Sequence, residues 1–139
     1  KENNINVTIH AGEGDGVASI QDALDNGAKR IGHGVRIIED VNLINKNLGK
    51  VASHIVEKQI PLEVCITSNL HTNMYKNLEE HPIKQLIELG FNITLNTDNR
   101  LMSNTSVNHE LENCKLIGIK DPDALLKFSA SDSFLKSRH

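Results

Sequence analysis

An α/β fold built on a parallel sheet follows from three features of this 139-residue chain. Four short β-type runs, near residues 5–10, 30–33, 61–67 and 92–97, alternate with helix-like stretches. Such alternation implies parallel strands joined by right-handed crossovers. Three of the runs end in groups able to bind a metal or move protons: His10-Ala11-Gly12-Glu13, Gly32-His33-Gly34 and Asn96-Thr97-Asp98-Asn99. In an α/β barrel such strand ends converge on one face. Length is the third feature. A closed eight-stranded barrel takes about 250 residues, so a barrel built from this chain is a partial one. An open doubly wound sheet fits the alternation equally well.

The elements follow in order. Ile5-Asn6-Val7-Thr8-Ile9 is the first strand, and a Gly-rich turn leads to a helix expected over residues 17–28. Val17, Ile20 and Leu24 share one face of that helix, and Asn26-Gly27 stops it. The second strand ends at His33. A longer helix is expected over about residues 40–58, with Val41, Leu43, Ile44, Leu48, Val51, Ile55 and Val56 at apolar positions and only a modest propensity penalty at Gly49. Pro61 opens the third strand. His81-Pro82 starts the next helix, which carries Ile83, Leu86, Ile87 and Leu89 and stops at Gly90. After the fourth strand come a helix near residues 107–116 and a last one, capped by Asp121-Pro122, with Leu125, Leu126, Phe128, Phe134 and Leu135.

Charge and composition exclude several classes. Lys+Arg 15 against Asp+Glu 18 gives a net charge of -3, with no basic stripe for nucleic acid. Gly12-Glu13-Gly14-Asp15-Gly16 has the wrong spacing for a dinucleotide cradle and would set two acids against a phosphate. Cys65 and Cys114 form no CxxC pair and read as reduced thiols, neither of them a zinc ligand. No run approaches membrane-spanning length and no signal peptide is recognisable, so no membrane partner is expected and the cytoplasm is the expected compartment. Residue 1 is Lys and the first strand follows almost at once, which suggests a start partway through a longer protein.

A catalytic zinc takes about three His, Asp or Glu ligands and keeps a position open for water. His10 and Asp98 suit ligation. Glu13 lies close enough to act on a substrate at the same metal, and His33, between two glycines, can orient or deprotonate its water. Taken singly, each has a simpler structural explanation: a packed histidine, or an acid capping a helix. Their joint placement at successive strand ends is what points to chemistry. His54, His71, His81, His109 and His139 read as surface or packing residues. Glu63 reads as an exposed or ion-paired edge position, and Ser68-Asn69 as a loop or cap.

With those motifs in view, the chain resembles the adenosine deaminase family. The resemblance rests on His10-Ala11-Gly12-Glu13, Arg30-Ile31-Gly32-His33-Gly34, Leu62-Glu63-Val64-Cys65-Ile66-Thr67-Ser68-Asn69 and Leu95-Asn96-Thr97-Asp98-Asn99, in the same order and spacing. It runs from about residue 5 to Glu110, and more weakly to Ser133-Phe134-Leu135. It implies that residues 1–139 are the C-terminal four β-α units of a TIM-type (β/α)8 barrel, with the N-terminal half absent. By the same resemblance His10 and Asp98 are zinc ligands, Glu13 is the proton donor to the purine ring, and His33 positions the attacking hydroxide. Glu13 must be protonated to donate, and burial beneath a substrate favours that form. Asn99 stands where many members have a second aspartate facing purine N7; its amide donates at any pH, whereas an aspartate must first be protonated.

The activity implied is zinc-dependent hydrolysis of adenosine or deoxyadenosine to inosine or deoxyinosine and ammonia. Gly32 favours a nucleoside over a free base, because related adenine deaminases tend to carry an acid there. One departure weighs against independent activity. The family takes two further ligands from a His-x-His pair, and this chain has none. An isolated half barrel is also expected to expose two unpaired strand edges and an apolar interior layer. The partner implied is the N-terminal half or a second copy. A non-catalytic half barrel, an adenine or other purine deaminase, and another zinc hydrolase are the alternatives.

Overall fold

A computed structural model of the chain describes residues 5–126. Phe128, Phe134, Leu135, His139 and the weaker resemblance at Ser133 lie outside the described residues. Strands β1 (Thr8–Ala11) and β2 (Arg30–His33) flank helix α1 (Val17–Asp25) in the chain. A 3-10 turn (Val35–Asp40) leads into a two-strand ribbon, β3 (Val41–Asn42) and β4 (Asn47–Leu48), and then α2 (Lys50–Lys58). Strand β5 (Leu62–Val64) runs into α3 (Ile66–His71); α4 (Ile83–Glu88) precedes β6 (Ile93–Leu95). Helices α5 (Arg100–Ser103) and α6 (Val107–Ile117) follow.

The main sheet is wholly parallel, in the order β1-β2-β5-β6. Neighbours in space are neighbours in chain order, with no reversal. A doubly wound sheet needs such a reversal to create its switch point. The order therefore decides between the two architectures left open by the sequence, in favour of part of a barrel. Among the described residues β1 and β6 are the edges, each paired on one side.

Alternation along the strands separates two faces. Ile31, Leu62, Val64, Ile93 and Leu95 join Ile20, Ala23, Ala52, Ile55, Ile83 and Leu86 in the buried core beneath the helices. The alternate residues, Thr8, His10, Arg30, Gly32, Glu63 and Thr94, lie on the opposite face, with His10, Gly32, Glu63 and Thr94 in register across all four strands. Arg30 Nε donates to Glu63 Oε1 at 2.6 Å and Arg30 Nη2 to Thr94 Oγ1 at 3.5 Å. The expected apolar interior layer is thus a polar one, held by charge and hydrogen bonds. Glu63 is ion-paired as expected, but on an internal strand rather than an edge.

Two elements depart from the sequence expectation, and in both a helix is started by an acid that lies outside it. Residues 40–49 are not the first turns of a long helix. Asn42 Oδ1 accepts from the Ile44 N–H and Asn45 Oδ1 from the Asn47 N–H, which favours a tight ribbon and leaves Ile44 exposed. Asp40 Oδ2 then accepts from the N–H groups of Val51 and Ala52 at 2.9 and 2.8 Å, starting α2. Gly49 is the N-cap against which that carboxylate lies, and a Cβ there would overlap it. Likewise the third strand ends at Val64, and Ile66-Thr67 open α3. The Thr67 N–H is met by Glu110 Oε2 at 3.3 Å, 43 residues away. The Asp121 cap is found as expected, its Oδ1 accepting from the Ala124 N–H at 3.3 Å.

Candidate functional site

Every expected site residue sits at the C-terminal ends of the strands of this sheet. His10 is the penultimate residue of β1, and Glu13 follows in the turn. That turn is braced: the Gly12 N–H donates to Ser19 Oγ at 3.0 Å, and Arg36 Nη1 donates to the Gly14 carbonyl at 2.7 Å. His33 closes β2 with φ +62, and Asp98 follows β6 with φ +54. Both are non-glycine residues in the left-handed region, a conformation that costs of order 1 kcal/mol and concentrates at functional sites.

These strand ends converge. His33 Nε2 lies 3.4 Å from Glu13 Oε2 and 3.9 Å from Asp98 Oδ2. The His10 and His33 rings meet edge to face, centroids 5.1 Å apart. Gly32 is in register with His10, and a Cβ on it would overlap the His10 ring. A cleft of about 260 Å³ opens here, lined by His10, Gly32, His33, Cys65, Asn96 and Asp98 among others. Glu13 borders a wider cleft of about 440 Å³, together with Arg36, Glu39, Thr72 and Tyr75. Asn99 caps α5, its Oδ1 accepting from the N–H groups of Leu101 and Met102 at 3.1 Å each. This leaves the amide hydrogens of Asn99 for another acceptor.

Residues read as loop or packing hold Asp98, His33 and Glu13 from behind. Ser68 Oγ donates to Asp98 Oδ2 at 2.8 Å. Asn69 Nδ2 lies 3.2 Å from His33 Nδ1 and 3.3 Å from Glu13 Oε1, and Asn69 Oδ1 lies 3.2 Å from His81 Nε2. Helix α3, which carries Ser68 and Asn69, is fastened from below. Glu110 accepts from the Thr67 N–H and from Thr105 Oγ1, and Asn113 Nδ2 donates to Thr67 Oγ1. Ser68-Asn69 follows a strand end like the other motifs, the one signal available in the sequence. His81 carries no such signal, since its link to the site is purely tertiary.

Burial pushes the His33 pKa below the usual histidine value, against the opposing pull of Glu13 and Asp98. Burial alone lowers His81 to about 4. The Cys65 thiol, also at the cleft, is pushed well up by burial and nearby carboxylates, and Cys114 is pushed up to about 12. Both are therefore neutral thiols at neutral pH. Among the described residues no three His, Cys, Asp or Glu side chains converge on a point able to hold a metal ion. His10 and Asp98 border one cleft and provide two donors, fewer than a catalytic zinc requires. No helix of the described residues is long and apolar enough to cross a membrane.

The family model for adenosine deaminase matches residues 1–123. The adenosine deaminase of Mycolicibacterium vanbaalenii is 46% identical over 115 residues, 80% of this chain and 32% of that protein. Adenosine deaminase 1 of Streptomyces coelicolor is 50% identical over 116 residues, 81% of this chain and 29% of that protein. The chain therefore spans about a third of the length of the curated relatives it matches. Among solved structures, an adenine deaminase from Arthrobacter aurescens superposes with a TM-score of 0.81 at 27% identity, over 94% of this chain and 38% of that one. A Burkholderia ambifaria amidohydrolase gives a TM-score of 0.78 at 20% identity, over 96% of this chain and 36% of that one, a likeness of fold alone.

Proposed function

The chain belongs to the adenosine deaminase family, and from that premise we propose that it carries the catalytic strand ends of a zinc-dependent deaminase. The substrate is adenosine or deoxyadenosine, hydrolysed to inosine or deoxyinosine and ammonia. One observation carries this reading: Glu13, His33 and Asp98, from three different strand ends, meet within 4 Å around His33 Nε2. A purely structural role would not require acid, imidazole and acid to gather at one mouth of the sheet, two of them with left-handed backbones.

His10 and Asp98 would hold the zinc, with the remaining donors coming from outside residues 5–126. Bound zinc supplies Lewis acidity and lowers the pKa of water to about 7. The chain's own residues do the rest. Glu13 donates its proton to purine N1 while water oxygen adds to C6, so the ring accepts charge without forming an anion. His33 holds the nucleophile in line, and Ser68 fixes the Asp98 carboxylate through its 2.8 Å bond. Of the two water protons, one passes to the carboxylates around the nucleophile and restores the acid form of Glu13. The other leaves with the C6 amine as ammonia when the C6–N6 bond breaks, and C6 becomes the hypoxanthine carbonyl. General acid-base assistance of this kind is worth about 100- to 10,000-fold in rate.

The polar face and the two edge strands require a covering partner. The N-terminal half of a barrel supplies four more strands and the missing metal donors; a second copy of this chain would cover the edges but would repeat the same donors. The test is adenosine turnover with added zinc, by the chain alone and by the chain joined to the N-terminal part of a curated relative, each with a Glu13→Ala control. Turnover in either form that is lost in Glu13→Ala supports the proposal. A folded, zinc-loaded assembly without turnover on adenosine overturns it, leaving a non-catalytic half barrel, or an adenine deaminase if adenine is converted instead.

A further inference from the structure

We propose that Asn69 and His81 are positioning residues that lock the His33 imidazole with its hydrogen on Nε2, aimed at Glu13 and Asp98. The catalytic consequence rests on the deaminase reading, but the arrangement itself does not. It follows from an inventory of donors and acceptors. The Ile83 N–H donates to His81 Nδ1 at 3.2 Å, so that nitrogen is bare and His81 carries its hydrogen on Nε2. The His81 Nε2–H faces Asn69 Oδ1 at 3.2 Å, which fixes the amide: flipped, it would set two N–H donors against each other.

Asn69 Nδ2 then has two hydrogens to place. One goes to His33 Nδ1 at 3.2 Å and the other to Glu13 Oε1 at 3.3 Å. His33 Nδ1 is thereby an acceptor, and the ring hydrogen resides on Nε2, between Glu13 Oε2 and Asp98 Oδ2. Each member of the relay is at least 98% buried, with Asn69 0%, His81 1% and His33 2% exposed. Water is thus kept from substituting for a missing partner. Among the described residues no buried side-chain nitrogen or oxygen lacks a hydrogen bond.

The residue type at position 69 decides the outcome. A carboxylate there would accept from both imidazoles, placing the His33 hydrogen on Nδ1 and turning a bare Nε2 toward two acids. A carboxamide held from behind by His81 gives the opposite result. In the deaminase this presents a hydrogen-bond donor to the attacking oxygen, orienting its lone pair toward purine C6.

The test is nitrogen-15 NMR of the histidine rings in the full chain at a fixed neutral pH, with signals assigned from His33→Gln and His81→Gln. In the unaltered chain both His33 and His81 are expected to carry hydrogen on Nε2 alone. Asn69→Asp moves the His33 hydrogen to Nδ1. Because that carboxylate also lies beside Glu13, His81→Leu serves as the independent variant and gives a mixed His33 signal. His81→Gln, whose amide can replace the Nε2–H donor, restores the original pattern. A His33 hydrogen on Nδ1 in the unaltered chain overturns the proposal without any variant. So does an unchanged His33 signal in folded Asn69→Asp and His81→Leu.

In the active assembly Asn69→Asp and His81→Leu should lower kcat about 10- to 100-fold, the usual scale for groups that orient a metal site from behind. KM stays near its original value, and His81→Gln recovers most of the rate. The NMR pattern without turnover in the unaltered assembly would sink the deaminase reading while leaving the relay standing. Unchanged kcat in these variants would remove its catalytic consequence.

Discussion

Ser68 Oγ donates to Asp98 Oδ2 at 2.8 Å, joining the first turn of α3 to the residue that follows β6. The bond spans 30 residues of sequence and holds one carboxylate oxygen of the proposed zinc ligand, which a left-handed backbone has already turned toward the cleft. Ser68→Ala removes the donor and keeps the shape. Zinc affinity of the assembled enzyme, read by competition with a chelating dye, should fall about 10- to 100-fold. Unchanged affinity would show that Asp98 needs no such support.

Gly32 leaves room for the ring of His10. Because a Cβ there overlaps that ring, Gly32→Ala should displace His10 rather than merely crowd it. Overpacking of this kind costs about 1–3 kcal/mol. Weakened zinc binding by an assembled enzyme that remains folded is the expected result. Full zinc affinity in Gly32→Ala would contradict it.

Asp40 caps α2 from outside the helix, well before its first turn in sequence. Asp40→Ala leaves the N–H groups of Val51 and Ala52 without this acceptor and should cost about 0.5–2 kcal/mol. Thermal unfolding reads the loss as a lower midpoint. The Asp40 carboxylate accepts from α2, whereas Glu13 and His33 are bonded to Asn69, so the specific activity of the folded fraction should not change.

His81 predicts a pH dependence of stability. Burial lowers its folded value to about 4, while the unfolded value is about 6.5. Between these limits the unfolded state binds the proton and the folded state does not, so stability falls as pH drops from about 6.5 toward about 4. The size is on the order of 3 kcal/mol. His33, lowered by the same cause, adds in the same sense. Tyr75, which packs against His81 with ring centroids 5.0 Å apart, is itself pushed up to about 12 and stays neutral throughout. Urea unfolding at pH 7 and pH 4.5 should show a smaller loss in His81→Gln than in the unaltered chain. An equal loss in both would mean that other groups carry the acid sensitivity.

Local sequence determined more of this protein than its length suggests. The alternation of short apolar runs with 3.6-period stretches yielded the four parallel strands, α1, α4 and α6, because periodicity reports which face each element buries. The convergence of His10, Glu13, His33 and Asp98 was foreseeable because each stands at or soon after the C-terminal end of a strand, and such ends share one face of a parallel α/β sheet. The late start of α2 and helix α3 were not legible, since their N–H groups are met by Asp40 and Glu110 from outside each helix. Tertiary structure alone decided the order of the strands, the polarity of the open face and the relay from His81 through Asn69 to His33. Pattern reveals what a segment buries; hydrogen bonds between residues far apart in the chain depend on how the segments are brought together.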